Sequence, residues 1–445
     1  MKACTSLLLL LLLLGAALEA TAKSLVLAGG GISDDNVAVY GSIVDLAGGV
    51  GVARIGIVVA ASGDPADSAS FYTDLFVRVY GAREAVVIPI DLGQLHNNED
   101  PAVVALIQGL GGFFFGGGDQ ARVIEARGEE GVGDHKPPRI GDPLPPSLHL
   151  RPSLSIHPPP PNPPPPCSFF HNQGGVRVES SALRAIKAAH DAGAVVAGSS
   201  AGTACQGSAV MINGGRSYEA VVYGSYSSAQ SNADKLVYDP KGGLGTIHGV
   251  VVDSHFSERG REGRLARLLW DTRDQPHGAA RGIGVDEDTA LVITAMDTEP
   301  RAKVVGKFGV LFMDLSGAWD DTASARWHLR NVRTHYLTED DSIDMVSWRV
   351  TFASWKSATG GREDYDYAVT SADVFGARQF ARVATNLFNS RYSKEATGST
   401  KEKKPQYEVR MSKELGAGAK GRSPVDGYFM VSYRDLLLEM YEVVN

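Results

Sequence analysis

The sequence predicts an α/β protein in which helices cover both faces of a parallel sheet. Three observations carry this prediction. Short, continuously apolar segments recur along the amino-terminal part, helical segments separate them, and glycines follow several of them. Strands that are apolar on both faces are typical of a buried parallel sheet. The 445 residues suffice for one large domain and an extension.

The elements of the amino-terminal part alternate regularly. Apolar runs predict four strands, and amphipathic segments predict the three helices between them. The predicted strands are 25–28, 55–60, 85–90 and 112–115, and the predicted helices are 37–46, 69–80 and 102–109. Ligands of such sheets gather beyond the carboxyl ends of the strands. The triple glycine after the first strand lacks the spacing of a dinucleotide-binding loop, so we expect no such cofactor.

A proline-rich segment interrupts this pattern. Fourteen of the 22 prolines lie between Pro137 and Pro166, which excludes a helix or a central strand there. We interpret residues 128–175 as an insertion in a loop or as non-coding sequence translated into the chain. A ligand for a proline-reading domain is the alternative.

The αβ pattern resumes after the insertion and ends near residue 315. We predict helices at 181–186 and 264–270, and strands at 194–197, 220–224, 247–252, 290–294 and 304–314. Residues 316–445 form an extension whose function the sequence does not indicate. It contains amphipathic strands such as 348–352, a charged linker at 401–404 and a final helix at 433–444.

The amino terminus predicts a secretory signal peptide over residues 1–22. Lys2 precedes an unbroken run of leucines, and Ala20, Thr21 and Ala22 form an A-x-A cleavage pattern. The apolar run is too short for a transmembrane helix, so we expect a secreted, extracellular protein. A net charge of −8 and a pI near 5.8 argue against nucleic acid as a partner, and we expect no membrane partner.

A candidate nucleophile follows the strand at 194–197. Residues 198–202 match the pattern G-x-S-x-G, which is typical of a strained strand-to-helix elbow that presents a serine. Ser200 would then lie at a helix N-terminus, where free N–H groups favour developing negative charge. The alternative is a turn rich in glycine and serine without chemistry.

A candidate base and a group of cations follow a later strand. His255 comes after the apolar run 250–252 and is a candidate general base, or else a hydrogen-bonded structural histidine. Arg259, Arg261 and Arg264 could clamp a substrate carboxylate. The alternative is a solvated helix start whose arginines are balanced by neighbouring glutamates.

Four motifs in order resemble the cyanophycinase family, serine peptidases of the S51 type that are related to aspartyl dipeptidase. They are residues 114–120, 198–202, 253–256 with the following arginines, and 282–290, and the resemblance covers 23–315 apart from the insertion. The resemblance implies a flavodoxin-like αβα sandwich with a mostly parallel sheet, similar to class I glutamine amidotransferases, and a homodimer. The tail would be a carboxy-terminal α+β extension. No metal or other cofactor is implied.

The resemblance also implies roles for individual residues. Ser200 matches the nucleophile, His255 the general base and Glu219 the acid that orients the histidine. The backbone N–H groups of Gly118 and Ala201 match the oxyanion hole. The positions that match the substrate pocket are Gln120, Asp253, Arg259, Arg261 and Arg264.

We therefore expect a secreted serine exopeptidase or isopeptidase that hydrolyses α- or β-aspartyl peptides through an acyl-enzyme. Ser254 replaces the glutamine that is usual in the family, which leaves the substrate open, and Ser199 replaces a threonine. A catalytically inactive, cyanophycinase-like binding protein is the alternative. A glutamine amidotransferase would need a cysteine at the elbow, and Cys205 lies five residues beyond Ser200.

Overall fold

A computed structural model of the protein describes residues 22–91, 95–124, 169–173, 176–321 and 326–443. The predicted leader, apart from Ala22, lies outside these residues, as does the proline-rich segment up to residue 168. None of the helices within the described ranges combines the length and apolar character that a bilayer crossing requires.

The strands of the described residues follow one another along the whole chain. They are β1 (Leu25–Ala28), β2 (Arg54–Val58), β3 (Glu84–Ile88), β4 (Gly112–Phe115), β5 (Phe170–Gln173), β6 (Val176–Glu179), β7 (Val195–Ser199), β8 (Met211–Ile212), β9 (Ser225–Tyr226), β10 (Leu236–Asp239), β11 (Val251–Asp253), β12 (Arg281–Val285), β13 (Thr289–Thr294), β14 (Arg301–Gly306), β15 (Gly309–Asp314), β16 (Trp319–Asp320), β17 (Leu329–Thr338), β18 (Ser342–Asp344), β19 (Val350–Thr351), β20 (Ser357–Ala358), β21 (Glu395–Ser399), β22 (Tyr407–Ser412), β23 (Ala417–Arg422) and β24 (Phe429–Glu442).

Most of the helices lie between strands of the amino-terminal part. They are α1 (Val37–Leu46), α2 (Pro65–Asp74), α3 (Pro101–Gln108), α4 (Gln120–Ile124), α5 (Ser181–Asp191), α6 (Ala201–Ala204), α7 (Ser217–Tyr223), α8 (Glu262–Thr272) and α9 (Gln379–Phe388). A π-helical turn, Leu75–Val79, continues α2, and short 3-10 helices occupy Leu95–Glu99 and Ser257–Arg259. Asn36, Asp64 and Asp100 begin α1, α2 and α3, because each side chain accepts a backbone N–H of the first turn.

A nine-stranded sheet forms the centre of the amino-terminal part. Its order is β19–β18–β14–β13–β1–β7–β4–β2–β3. The five strands β1, β7, β4, β2 and β3 run parallel, and the remaining four extend the sheet in antiparallel fashion from β1. The α/β class predicted from the sequence is confirmed.

Helices cover both faces of the parallel strands. Along β1, Leu25 and Leu27 pack into one core cluster, and Val26 and Ala28 pack into another. The first cluster includes side chains of α3 and α5, and the second includes side chains of α1 and of the π turn. Because both faces of β1 are buried, all four of its residues are apolar, and this is the pattern that the sequence showed.

A second sheet joins the predicted extension to the rest of the molecule. Its order is β11–β12–β15–β17–β24–β22–β21. In addition, β16 pairs with β17, β23 pairs with β24, and β20 pairs with β23. β15 belongs to the predicted domain 23–315 and pairs with β17 of the extension. β18 and β19 of the extension complete one edge of the first sheet. The extension is therefore continuous with both sheets.

Several elements differ from the prediction. Residues 304–314 were expected as one strand, but they divide between β14 and β15, which lie in different sheets. The end of the expected insertion 128–175 belongs to the fold, since Phe169 is buried in the core and β5 pairs with β6. Residues 220–224 were expected as a strand, but they lie in and directly after α7, where Ala220 and Val221 are buried on one helical face. Residues 433–444 were expected as a helix, but they lie largely in β24. Leu436, Leu438 and Met440 are buried there at every second position, which is the period of a strand. Pairing with β17 and β22 outweighs the helical preference of the leucines.

Candidate active site

Ser200 occupies a strained elbow between β7 and α6. Its backbone has φ 56° and ψ −114°, which few residues other than glycine adopt. A Cβ atom on Gly198 would lie 2.1 Å from the carbonyl oxygen of Gly202. A Cβ atom on Gly202 would lie 2.0 Å from the carbonyl oxygen of Phe115. Only glycine fits at either position, so the G-x-S-x-G pattern forms the elbow that the sequence predicts.

The structure brings Ser200 and His255 together. The Oγ atom of Ser200 lies 2.6 Å from Nε2 of His255. His255 follows β11 with a positive φ of 46°, and its backbone N–H donates to the carbonyl of Gly29 at 2.8 Å. The imidazole packs so closely on Gly30 that a Cβ atom there would lie 2.5 Å from the ring. The triple-glycine loop after β1 therefore makes room for the histidine.

Glu287 holds the other side of the imidazole. Its Oε1 atom lies 2.6 Å from Nδ1 of His255. A carboxylate at this position fixes the proton on Nδ1 and leaves Nε2 free to accept the hydroxyl proton of Ser200. The His255 side chain is 11% exposed and that of Glu287 is 34% exposed, so solvent reaches both members of the pair.

The prediction that Glu219 orients His255 is wrong. Glu219 lies in the first turn of α7, beside Arg216 and Asp234, and its Oε2 atom is buried without a hydrogen-bond partner among the described residues. Burial raises the pKa of this carboxyl. The sequence did contain a signal for Glu287, because this residue follows an apolar run, as His255 does. In the structure the two runs are the strands β12 and β11, which are adjacent and parallel. His255 and Glu287 each follow the carboxyl end of one of these two strands.

The resemblance assigns the oxyanion hole to the backbone N–H groups of Ala201 and Gly118. Ala201 begins α6 directly after Ser200, and the first N–H groups of a helix have no partner within it. Gly117 packs on Ser200, since a Cβ atom there would lie 3.4 Å from that of the serine. The next residue is Gly118, with φ 137°. The role of Gly118 and Ala201 remains a prediction.

Most of the predicted substrate-binding residues are engaged within the protein. Asp253 is 1% exposed and accepts hydrogen bonds from Arg264 at 2.6 and 2.8 Å and from Arg261 at 3.0 Å. Burial alone would raise the pKa of Asp253, but the charges of Arg264 and Arg261 outweigh it and lower this pKa. The amide of Gln120 donates to the carbonyl of Ile212 at 2.5 Å.

Arg259 differs from the other two arginines. Its side chain is exposed and makes no hydrogen bond or ion pair with any described residue, and its charge acts on His255. The expected clamp of three arginines is therefore corrected to one free cation. Arg261 and Arg264 hold Asp253 beneath the site, because a buried carboxylate is stable only when it is paired.

Cys205 is no candidate for the nucleophile. It is buried in the turn after α6, where its Sγ atom donates to the carbonyl of Gly202 at 3.4 Å, and burial raises the pKa of the thiol. A nucleophilic cysteine needs the opposite shift. No group of three or more histidine, cysteine or acidic side chains that could hold a metal occurs within the described ranges.

Comparison with known proteins identifies relatives along most of the chain. The chain is 24% identical to a cyanophycinase of Synechococcus elongatus over 335 residues, which cover 74% of this chain and 81% of that protein. It is 30% identical to a cyanophycinase of Trichormus variabilis over 155 residues, 34% of this chain and 45% of the relative. These similarities confirm the resemblance that the four motifs indicate.

Among solved structures, a peptidase from an acI-B1 actinobacterium aligns with a TM-score of 0.43 and 18% identity, over 74% of this chain and 99% of that chain. No protein-family model matches the sequence.

Proposed function

We propose that the chain is a peptidase similar to the cyanophycinases, and that Ser200, His255 and Glu287 are its catalytic triad. The observation that carries the proposal is the pair of 2.6 Å contacts on the two nitrogens of one imidazole. A serine hydroxyl is a weak nucleophile until a base accepts its proton, and that base needs a third group to orient it. All three groups lie in contact here.

In the proposed reaction, Ser200 Oγ attacks the carbonyl carbon of the scissile amide while Nε2 of His255 takes the hydroxyl proton. Glu287 stabilises the imidazolium that forms. The oxyanion accepts hydrogen bonds from the N–H groups of Ala201 and Gly118. The imidazolium then gives its proton to the leaving amine, which departs and leaves an acyl-enzyme. Water, deprotonated by His255, then attacks the ester carbonyl. The bond to Oγ of Ser200 breaks, the acid product leaves, and the imidazolium returns its proton to Oγ.

We further propose that the substrate is an aspartyl peptide with an α or β linkage. Arg259 supports this proposal, because its exposed side chain has no hydrogen bond or ion pair with any described residue and its charge acts on His255. A guanidinium binds a carboxylate with two parallel hydrogen bonds. The leader-like residues 1–22 support secretion, and a homodimer remains a prediction from the resemblance.

The proposal is tested by incubating the protein with β-Asp-Arg, an α-aspartyl dipeptide and a neutral dipeptide, and by labelling it with a fluorophosphonate. We expect hydrolysis of the aspartyl peptides and covalent labelling at Ser200. If neither hydrolysis nor labelling occurs, the chain is a binding protein that has kept the fold of a peptidase.

Arg259→Ala should raise KM for aspartyl dipeptides by about tenfold, since a hydrogen bond to a charged group contributes about 1.5 kcal/mol or more. The KM for a neutral dipeptide should not change. Initial rates over a range of substrate concentrations measure both. Arg83→Ala, which removes another exposed arginine near the opposite edge of the first sheet, is the control. An equal loss on both substrates would contradict the assigned contact.

The pH profile should show activity below the ordinary range of histidine. Burial lowers the pKa of His255 from 6.5, the Glu287 contact opposes this, and the charge of Arg259 lowers the pKa further. The base acts in its neutral form, so a lower pKa moves the acid limb of kcat/KM to lower pH. Measured kcat/KM should have its acid midpoint below 6.5, and Arg259→Ala should move that midpoint upward. A midpoint above 6.5 in the unmodified protein would contradict this assignment.

A further inference from the structure

Two residues of the extension reach the loops that carry the catalytic histidine and glutamate. Arg378, directly before α9, donates from Nη1 to Oε1 of Glu258 at 2.8 Å, and its backbone N–H donates to the carbonyl of Ser257 at 2.6 Å. Tyr336 of β17 donates its hydroxyl to Oδ2 of Asp286 at 2.7 Å. The extension therefore contacts the segment after His255 and the segment before Glu287.

These contacts continue to the triad itself. The second oxygen of Glu258, Oε2, accepts the backbone N–H of Glu287 at 3.0 Å. The second oxygen of Asp286, Oδ1, accepts the backbone N–H of Ser257 at 2.9 Å. Each carboxylate thus connects a residue of the extension to the loop beside His255 or Glu287. The loops are joined to each other and to the extension by hydrogen bonds.

The Asp286 and Tyr336 part of the network is buried, whereas the side chain of Arg378 is 36% exposed. Asp286 is 0% exposed and Tyr336 is 4% exposed. Burial and the neighbouring Asp286 raise the pKa of Glu258, whereas the charge of Arg378 lowers it. Glu262 is another buried carboxyl, and burial together with Asp286 and Glu258 raises its pKa. Arg378 is the cation that faces this acidic group, so its removal leaves carboxylates without compensation.

The geometry of Arg378 is specific. Its backbone has φ 59°, and its guanidinium lies 3.5 Å from the centroid of the Phe308 ring, in the loop between β14 and β15. A residue with positive φ is held only where its surroundings determine it, and here the Ser257 carbonyl, the Glu258 carboxylate and the Phe308 ring do so.

We propose that Arg378 and Tyr336 are positioning residues for the catalytic pair His255 and Glu287, so that the extension completes the active site. This inference rests on the proposed function of the same site. Neither residue touches the reacting atoms. Arg378 acts through Glu258 on the backbone of Glu287, and Tyr336 acts through Asp286 on the backbone of Ser257.

The decisive variant is Arg378→Met, which keeps a long side chain and removes the cation. We expect kcat per active site to fall by about 10²-fold, because a small misplacement of the base slows the chemical step strongly. KM should change little, because the substrate contacts remain. Arg378→Lys restores the charge and should recover most of this loss. Arg382→Met is the matched control. It removes an arginine one turn further along α9, which contacts Gln379 and Thr370, and its kcat and KM should equal those of the unmodified protein.

Three further measurements separate positioning from folding. Fluorophosphonate titration gives the concentration of competent sites, so a loss of folded protein does not count as a loss of kcat. In Arg378→Met the acid limb of kcat/KM should move to lower pH, because the Glu287 contact that raises the pKa of His255 is weakened. Tyr336→Phe should also lower kcat, since it leaves the ring in place and removes only the hydrogen bond to Asp286.

The outcomes are distinct. If Arg378→Met and Tyr336→Phe keep the full kcat per titrated site, the inference is wrong, whatever their melting temperatures. If Ser200→Ala remains active, the proposed function itself fails. An inactive Ser200→Ala together with fully active Arg378→Met would remove only the role of the extension.

Discussion

Replacement of Ser200 by alanine should reduce kcat for an aspartyl dipeptide by about 10⁶-fold, as in other enzymes with a serine triad. The change removes the atom that we propose as the nucleophile, and Cys205 cannot replace it, because its thiol is buried and donates to a backbone carbonyl. Product formation is followed over hours at high enzyme concentration, with fluorophosphonate labelling in parallel. Both signals should disappear together.

Ser199→Ala is the matched control for this experiment. Ser199 precedes Ser200 in the chain and is buried at the end of β7, and the two ring nitrogens of His255 face Ser200 and Glu287 instead. It should retain activity and labelling. Turnover by Ser200→Ala at the unmodified rate would exclude Ser200 as the nucleophile.

Replacement of Glu287 by glutamine should reduce kcat by about 10⁴-fold, the loss observed when the orienting acid of a serine triad becomes an amide. Glutamine keeps the shape of the side chain, but it cannot stabilise the imidazolium, and it can hold the ring in the wrong tautomer. Steady-state kinetics with an aspartyl dipeptide measure the effect, and circular dichroism verifies that the fold is intact.

The matched variant Glu219→Gln distinguishes the two carboxylates. Glu219 contacts neither His255 nor Ser200, so this change should leave kcat within about twofold of the unmodified protein, as is usual away from a catalytic site. Inactivation by Glu219→Gln with full activity of Glu287→Gln would reverse our assignment of the third triad member.

The amino-terminal half of the fold was predictable because its strands are buried on both faces. Val37–Leu46 and Gly112–Phe115 have the bounds that their patterns predicted. The extension was less predictable, since β24 owes its state to neighbours distant in sequence. The run from Leu436 to Leu438 has a helical composition, and pairing with β17 on one side and β22 on the other makes it a strand.

The candidate site was predictable where one residue carries the signal. Ser200 lies between two glycines of a recognisable pattern, and His255 follows an apolar strand. Asp253, Arg261 and Arg264 were all assigned to the substrate pocket. The fold shows instead that both arginines pair with Asp253, and nothing in the sequence indicated this pairing. Arg378 gives no local signal, since it reaches the site from another part of the chain.

The position of β24 has a consequence for the order of synthesis. β24 lies between β17 on one side and β22 and β23 on the other, and the ribosome makes it after all three. Until it emerges, each of these strands has an unpaired edge that another chain could join. A nascent chain of this protein therefore carries an open sheet until its final strand closes it, and premature termination before Phe429 would leave those edges exposed to aggregation.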